Sequence, residues 1–241
     1  MYKYLSACYD LFMSDVDYDA WVRKIVRCLG GRKKGIDCGC GSGKITAGLK
    51  KAGYDVTGAD ISVEMLNVAA ANFRKENLDI PLVKMDSEKL AVAGKADFIT
   101  AACDVVNYMK HPERFFARSF DALTDDGILV FDISSRYKLV EIIGNNVFTD
   151  SAEDVTYIWA NHLSAKKDKV EMFLTFFTRN ADGSYAKREE NQVQYVYDAE
   201  YLAELLRGAG FADVSYDYFD GKITPETEER IFFTAYKGGI K

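Results

Sequence analysis

Three glycines at alternate positions, in Gly35-Ile36-Asp37-Cys38-Gly39-Cys40-Gly41-Ser42-Gly43-Lys44, constrain this chain more than any other stretch. The residues before them read as a short buried strand, and Ile45 and Leu49 begin an apolar helical pattern. Glycine lets the backbone take positive φ and lets another molecule approach without meeting a Cβ. A plain strand-to-helix turn needs one glycine, so three call for a second cause. Asp37 ends the strand, where a carboxylate can accept hydrogen bonds from a ligand or order the turn.

Spacing separates three nucleotide-type patterns. A P-loop aligned on Gly43-Lys44 needs glycine at Cys38 and a hydroxyl residue at Ile45, so it fails twice. A dinucleotide fingerprint starting at Gly39 meets Lys44 where its last glycine belongs. It misses once and keeps an NAD(P)-dependent oxidoreductase as an alternative. The pattern D-x-G-x-G-x-G fits at every position from Asp37 to Gly43. Here the chain resembles the class I S-adenosylmethionine-dependent methyltransferases, in which this turn wraps the methionine end of the cofactor.

A second strand, 54–60, ends in Asp60, twenty-one residues beyond Gly39. A carboxylate there can accept hydrogen bonds from both ribose hydroxyls, a feature that nicotinamide enzymes share. Ser62 supplies the cap of the next helix, which frees Asp60 for a ligand. The leader Tyr9-Asp10-Leu11-Phe12-Met13 with Tyr18-Asp19-Ala20-Trp21 resembles the Y-D-x-x-M…Y-x-x-W start of a bacterial small-molecule subgroup.

Strand and helix patterns alternate from 35 to 133, the signature of a parallel sheet covered on both faces. Strands are expected at 80–84, 96–102 and 128–133, the last after a turn at Asp125-Asp126-Gly127. Residues 145–197 break the rhythm with three aromatic, β-branched runs and no helix between them, so they should pair antiparallel. The chain then returns with a helix capped by Asp198 and stopped by Gly210, a strand, a polar loop with Pro225, and a final strand. The resemblance implies a Rossmann-like, seven-stranded, mostly parallel α/β sheet whose last strand lies antiparallel beside the fifth. The expected division is a leader at 1–34, a cofactor-binding α/β unit at 35–144 and 198–241, and a small antiparallel β insertion at 145–197. That insertion serves either as a roof on the acceptor side or as an interface in a homodimer.

The resemblance also implies site residues. Tyr9, Asp37, Gly39, Cys40, Gly41, Gly43, Asp60, Ile61, Met65, Asp86, Ser87 and Cys103 should contact S-adenosyl-L-methionine. Asn107, Tyr108, Arg136, Tyr157, Trp159 and Tyr195 should face the acceptor, and the insert should be removable without loss of cofactor binding. Methyl transfer needs a base only for a poorly nucleophilic acceptor. His111, His162, Tyr108 and Tyr157 are candidates on chemistry alone, and no base is assigned. A non-catalytic member of the fold is a further alternative.

The formal net charge of −6 argues against nucleic acid as a partner. Only two histidines and five scattered cysteines leave a metal site without ligands and a disulfide framework without pairs. No long uncharged stretch suits a bilayer and no signal-peptide core opens the chain, so a cytoplasmic enzyme with a small-molecule acceptor is expected.

Overall fold

The computed structural model describes residues 4–219, apart from 153, and residues 227–239. The loop expected around Pro225 lies outside the described residues. The larger sheet is built from β1 (Lys34–Cys38), β2 (Asp55–Asp60), β3 (Leu82–Lys84), β4 (Ala96–Ala101), β5 (Leu123–Ser134), β10 (Asp213–Tyr218) and β11 (Arg230–Tyr236). Its strand order is β10-β11-β5-β4-β1-β2-β3. β11 runs antiparallel to both β5 and β10, while the remaining neighbours pair in parallel. A seven-stranded, mostly parallel α/β sheet with an antiparallel strand beside the fifth is therefore what the chain forms.

Side-chain alternation along the strands builds a core on each face. Ile36, Ile99, Leu129 and Phe131 pack toward Phe115 and Phe116 of α5 (Pro112–Ala122) and Leu202 and Leu206 of α6 (Ala199–Ala209). Val56, Phe98, Ile128 and Val130 pack toward Trp21 and Ile25 of α2 (Tyr18–Leu29) and Leu49 of α3 (Lys44–Lys51). α4 (Val63–Lys75) sets Ala69 and Phe73 against Ala47 of α3. Each such fully buried side chain contributes about 1.5–3 kcal/mol relative to exposure.

Two local expectations change. β5 begins at Leu123, so Asp125 to Gly127 lie within the strand, at a register shift opposite Ala96 and Phe98. The chain bends there so closely that a Cβ on Gly127 would sit 2.8 Å from that of Leu123. The insertion has four strands, β6 (Val147–Ala152), β7 (Val155–Leu163), β8 (Lys169–Arg179) and β9 (Tyr185–Tyr195), all antiparallel in that order. β6 escaped the sequence reading because it is a largely exposed edge strand with few apolar residues.

The inner face of this second sheet is not free-standing. Val170, Met172, Leu174 and Phe176 pack with Leu139 and Ile143, and with Leu5, Cys8 and Phe12 of the leader. Phe12, the last residue of α1 (Tyr9–Phe12), meets Tyr157 edge-on at 4.5 Å between ring centroids. The backbone N–H of Tyr4 donates to the Glu190 carboxylate at 3.0 Å. Asp10 ties the same leader to the other side, accepting from Asn72 at 2.8 Å and lying 3.6 Å from the Lys44 ammonium. The leader thus joins the insertion to the helices of the large sheet.

Candidate active site

Strand order reverses between β1 and β4, and the crevice outside their carboxyl ends is where open parallel sheets bind ligands. Two adjoining cavities lie there. The inner one is walled by Tyr9, Asp37, Gly39, Cys40, Gly41, Asp60, Ile61, Met65, Asp86, Ser87 and Cys103. These are eleven of the twelve residues expected at the cofactor. The outer cavity, of about 820 Å³, includes Phe12, Trp21, Asp104, Tyr157, Trp159, Gln192, Gln194 and Arg230 in its wall. Tyr9, Cys103 and Tyr108 border both.

The turn between β1 and α3 takes its shape from its glycines. Gly39, Gly41 and Gly43 have φ of 68°, 55° and 83°, the left-handed region that favours glycine. Their neighbours differ. A Cβ on Gly39 would strike Val105 at 2.5 Å, and one on Gly43 would strike the Phe73 ring at 2.6 Å. A Cβ on Gly41 would meet only Met65, at 3.6 Å. Gly41 is therefore the position where the bare backbone serves the cavity. Gly43, the twelfth expected residue, lies outside that wall because α4 packs against it.

Asp60 anchors this turn. One carboxylate oxygen accepts from the Gly41 N–H at 2.9 Å and the other from the Ser62 N–H at 2.8 Å. Each oxygen keeps a second lone pair, so a diol can still be bound. Ser62 caps α4 as expected, accepting from Met65 N at 3.2 Å. Asp86 stands in the cavity wall and also caps the turn that follows, its carboxylate accepting from Glu88 N at 3.1 Å.

Asp37 is completely enclosed. Its oxygens accept from Thr46 at 2.6 Å and Thr100 at 2.8 Å. Burial pushes its carboxyl up to about 6 against those two hydrogen bonds. Between the ordinary carboxylate value and about 6 the folded chain holds a proton that the unfolded chain has released. The ionised group is thus a cost to the ligand-free fold above pH 6, and that cost fades on acidification. A cationic ligand at this wall prefers the ionised form, so its affinity should fall as pH drops through 6. Calorimetry of S-adenosylmethionine binding between pH 5 and 8 should show that fall in the wild type and a flatter profile in Asp37→Asn. Equal slopes in both proteins would remove Asp37 as the cause.

Of the six residues expected at the acceptor, three line the outer cavity and three do not. Asn107 is fully buried and structural, its amide oxygen accepting from Ser134 N at 2.8 Å and its nitrogen donating to the Tyr195 carbonyl at 2.9 Å. Arg136 pairs loosely with Asp198 at 3.9 Å and lies outside both cavity walls. Tyr195 is also outside them, because Gln192 and Gln194 take the inward positions of β9 and strand alternation turns Tyr195 away. Tyr108, Tyr157 and Trp159 do line the outer cavity. Among the base candidates, His111 pairs with Glu113 at 3.2 Å and His162 is exposed, and neither lines either of these two cavities.

Burial pushes the Tyr9 hydroxyl and the Cys103 thiol well above their ordinary values, so near neutral pH both are uncharged wall groups. Sequence reasoning missed Arg230, Gln192 and Gln194. No local motif marks them, since they meet only through strand order.

The glycine cradle, the carboxylate at its rim and the enclosed space beside them fit an adenosine cofactor with an amino-acid tail. Comparison with known proteins defines the class. A methyltransferase-domain family model matches residues 36–131. A protein of Geobacillus sp. (strain WCH70) named as a methyltransferase is 34% identical over 98% of this chain and 99% of its own length. The crystal structure of an S-adenosylmethionine-dependent methyltransferase from Clostridium acetobutylicum ATCC 824 superposes with a TM-score of 0.84 at 29% identity, covering 98% of each chain. The sugar N-methyltransferase KedS8 from Streptoalloteichus sp. shares the fold, with a TM-score of 0.75 at 19% identity over 96% of this chain and 93% of its own. The chain belongs to the class I S-adenosylmethionine-dependent methyltransferases. It is an enzyme, and S-adenosyl-L-methionine is its cofactor.

Proposed function

We propose that the enzyme methylates a nitrogen or oxygen of a small organic molecule held in the outer cavity, with the cofactor in the inner one. The observation that carries this reading is the shared border of Tyr9, Cys103 and Tyr108, which brings the two spaces together at one place. When bound, S-adenosylmethionine supplies a methyl group already activated on a sulfonium. Asp60 would accept the ribose hydroxyls, Asp86 would meet the adenine end, and the bare backbone at Gly41 would admit the methionine end.

The protein's remaining task is alignment and exclusion of water, which in favourable cases lowers a barrier by roughly 7–11 kcal/mol. Phe12, Tyr157 and Trp159 give the outer cavity apolar walls, while Tyr108, held by Gln192 at 3.1 Å, presents a polar tip at the border. A cavity of about 820 Å³ suits a small molecule rather than a polymer. Screening small amines, phenols and amino sugars with methyl-labelled cofactor should place label on a low-molecular-weight product. Label that appears only on protein or RNA would overturn the small-molecule reading.

A further inference from the structure

The loop leaving β4 carries two consecutive non-glycine residues in the left-handed region, Cys103 at φ 62° and Asp104 at φ 56°. L residues hold that conformation only where their surroundings over-determine it. Here three elements do so. Asp132 of β5, fully buried, accepts from the N–H of Cys103 at 2.7 Å and of Asp104 at 3.1 Å. Arg230, the first residue of β11, pairs with the Asp132 carboxylate and with Asp104 at 3.2 Å. Its guanidinium lies over the Trp21 ring, 5.0 Å from the centroid. Gln194 of β9 donates to the other Asp104 oxygen at 2.5 Å.

We propose that Arg230 is a positioning residue: by bridging Asp132 and Asp104 it fixes the Cys103–Asp104 turn that forms the common wall of the two cavities. The inference rests on the cofactor and acceptor assignments above. Arg230 stands outside the inner cavity wall, so it acts on the cofactor through the loop. Two carboxylates side by side in a buried place repel unless a cation is shared between them. With the guanidinium gone, Asp132 becomes an unpaired buried charge and takes up a proton. A protonated carboxyl is a poorer acceptor for two N–H groups than a carboxylate, and the turn loses what holds it.

The test uses S-adenosylhomocysteine binding by calorimetry together with thermal midpoints, on the full chain. Arg230→Met should weaken binding by about tenfold or more, as expected for a lost charge-assisted contact. Arg230→Lys should recover part of that loss, because an ammonium restores the charge without the two-pronged geometry. The double variant Arg230→Met/Asp132→Asn removes the unpaired charge and should regain its thermal midpoint. It should still bind about tenfold weakly, since one amide oxygen replaces two carboxylate oxygens.

Affinity that returns together with the midpoint in the double variant would show Arg230 to be merely structural. Arg230→Met affinity within about twofold of wild type would overturn the proposal as well. If Arg230→Met does not fold, the double variant decides alone by the same criterion. Failure of the wild-type protein to bind at all is a separate result, and it would count against the cofactor assignment instead.

Discussion

Gly41→Val should abolish measurable cofactor binding while leaving the fold in place. Two costs arise at this position, one to the fold and one to the ligand. Valine is strained at a φ of 55°, by about 1–3 kcal/mol, and its branched side chain resists the adjustment. The side chain also points where no protein atom but Met65 comes within 4 Å of the new Cβ, which places it in the inner cavity. Displacing the methionine end of the ligand should lower affinity by on the order of a hundredfold or more. Asp60→Ala offers a graded comparison, with an expected loss of about tenfold from charge-assisted hydrogen bonds. Titration with S-adenosylhomocysteine ranks the two variants. Normal binding by Gly41→Val would mean that the turn is only a link between β1 and α3.

The contrast between Gly41 and Gly43 shows how far the sequence could be read. The glycine spacing declares a tight turn with positive φ, because that requirement belongs to each residue's own backbone. Which glycine faces the cavity depends on a residue elsewhere, Phe73 arriving from α4 to close over Gly43. Asp37 and Asp60 were legible for a related reason: each ends a buried strand at the edge where a parallel sheet opens. The acceptor side resisted the same treatment. In the insertion, a one-residue change of parity exchanges the inward and outward faces, so aromatic content alone placed Tyr195 in a wall that Gln192 and Gln194 occupy. Arg230 is more remote still, ninety-eight residues from its partner Asp132 and joined to it by the pairing of β11 with β5.

The packing of the insertion also changes how its role should be tested. Removing residues 150–196 outright would delete the apolar inner face of β8 and uncover Leu139, Ile143 and the leader residues Leu5, Cys8 and Phe12 that pack on it. It would also delete Gln194, which holds Asp104 next to Cys103 at the border of the two cavities. Cofactor binding is therefore expected to suffer in such a deletion, contrary to the simpler view of a detachable roof. Paired wall substitutions separate the effects.

Tyr157→Ala with Trp159→Ala should lower kcat/KM toward an acceptor by on the order of a hundredfold, each buried aromatic contact contributing about 1–3 kcal/mol. Binding of S-adenosylhomocysteine should stay within about threefold, because neither side chain borders the inner cavity. The competing role of the insertion is an interface between two copies. Ile158 and Phe173 are exposed large side chains on this sheet, so that role has residues of its own. An interface function predicts that turnover survives the Tyr157 and Trp159 substitutions, and that changes on the exposed side alter the sedimentation coefficient. Retained turnover in the paired variant would take the acceptor away from this wall.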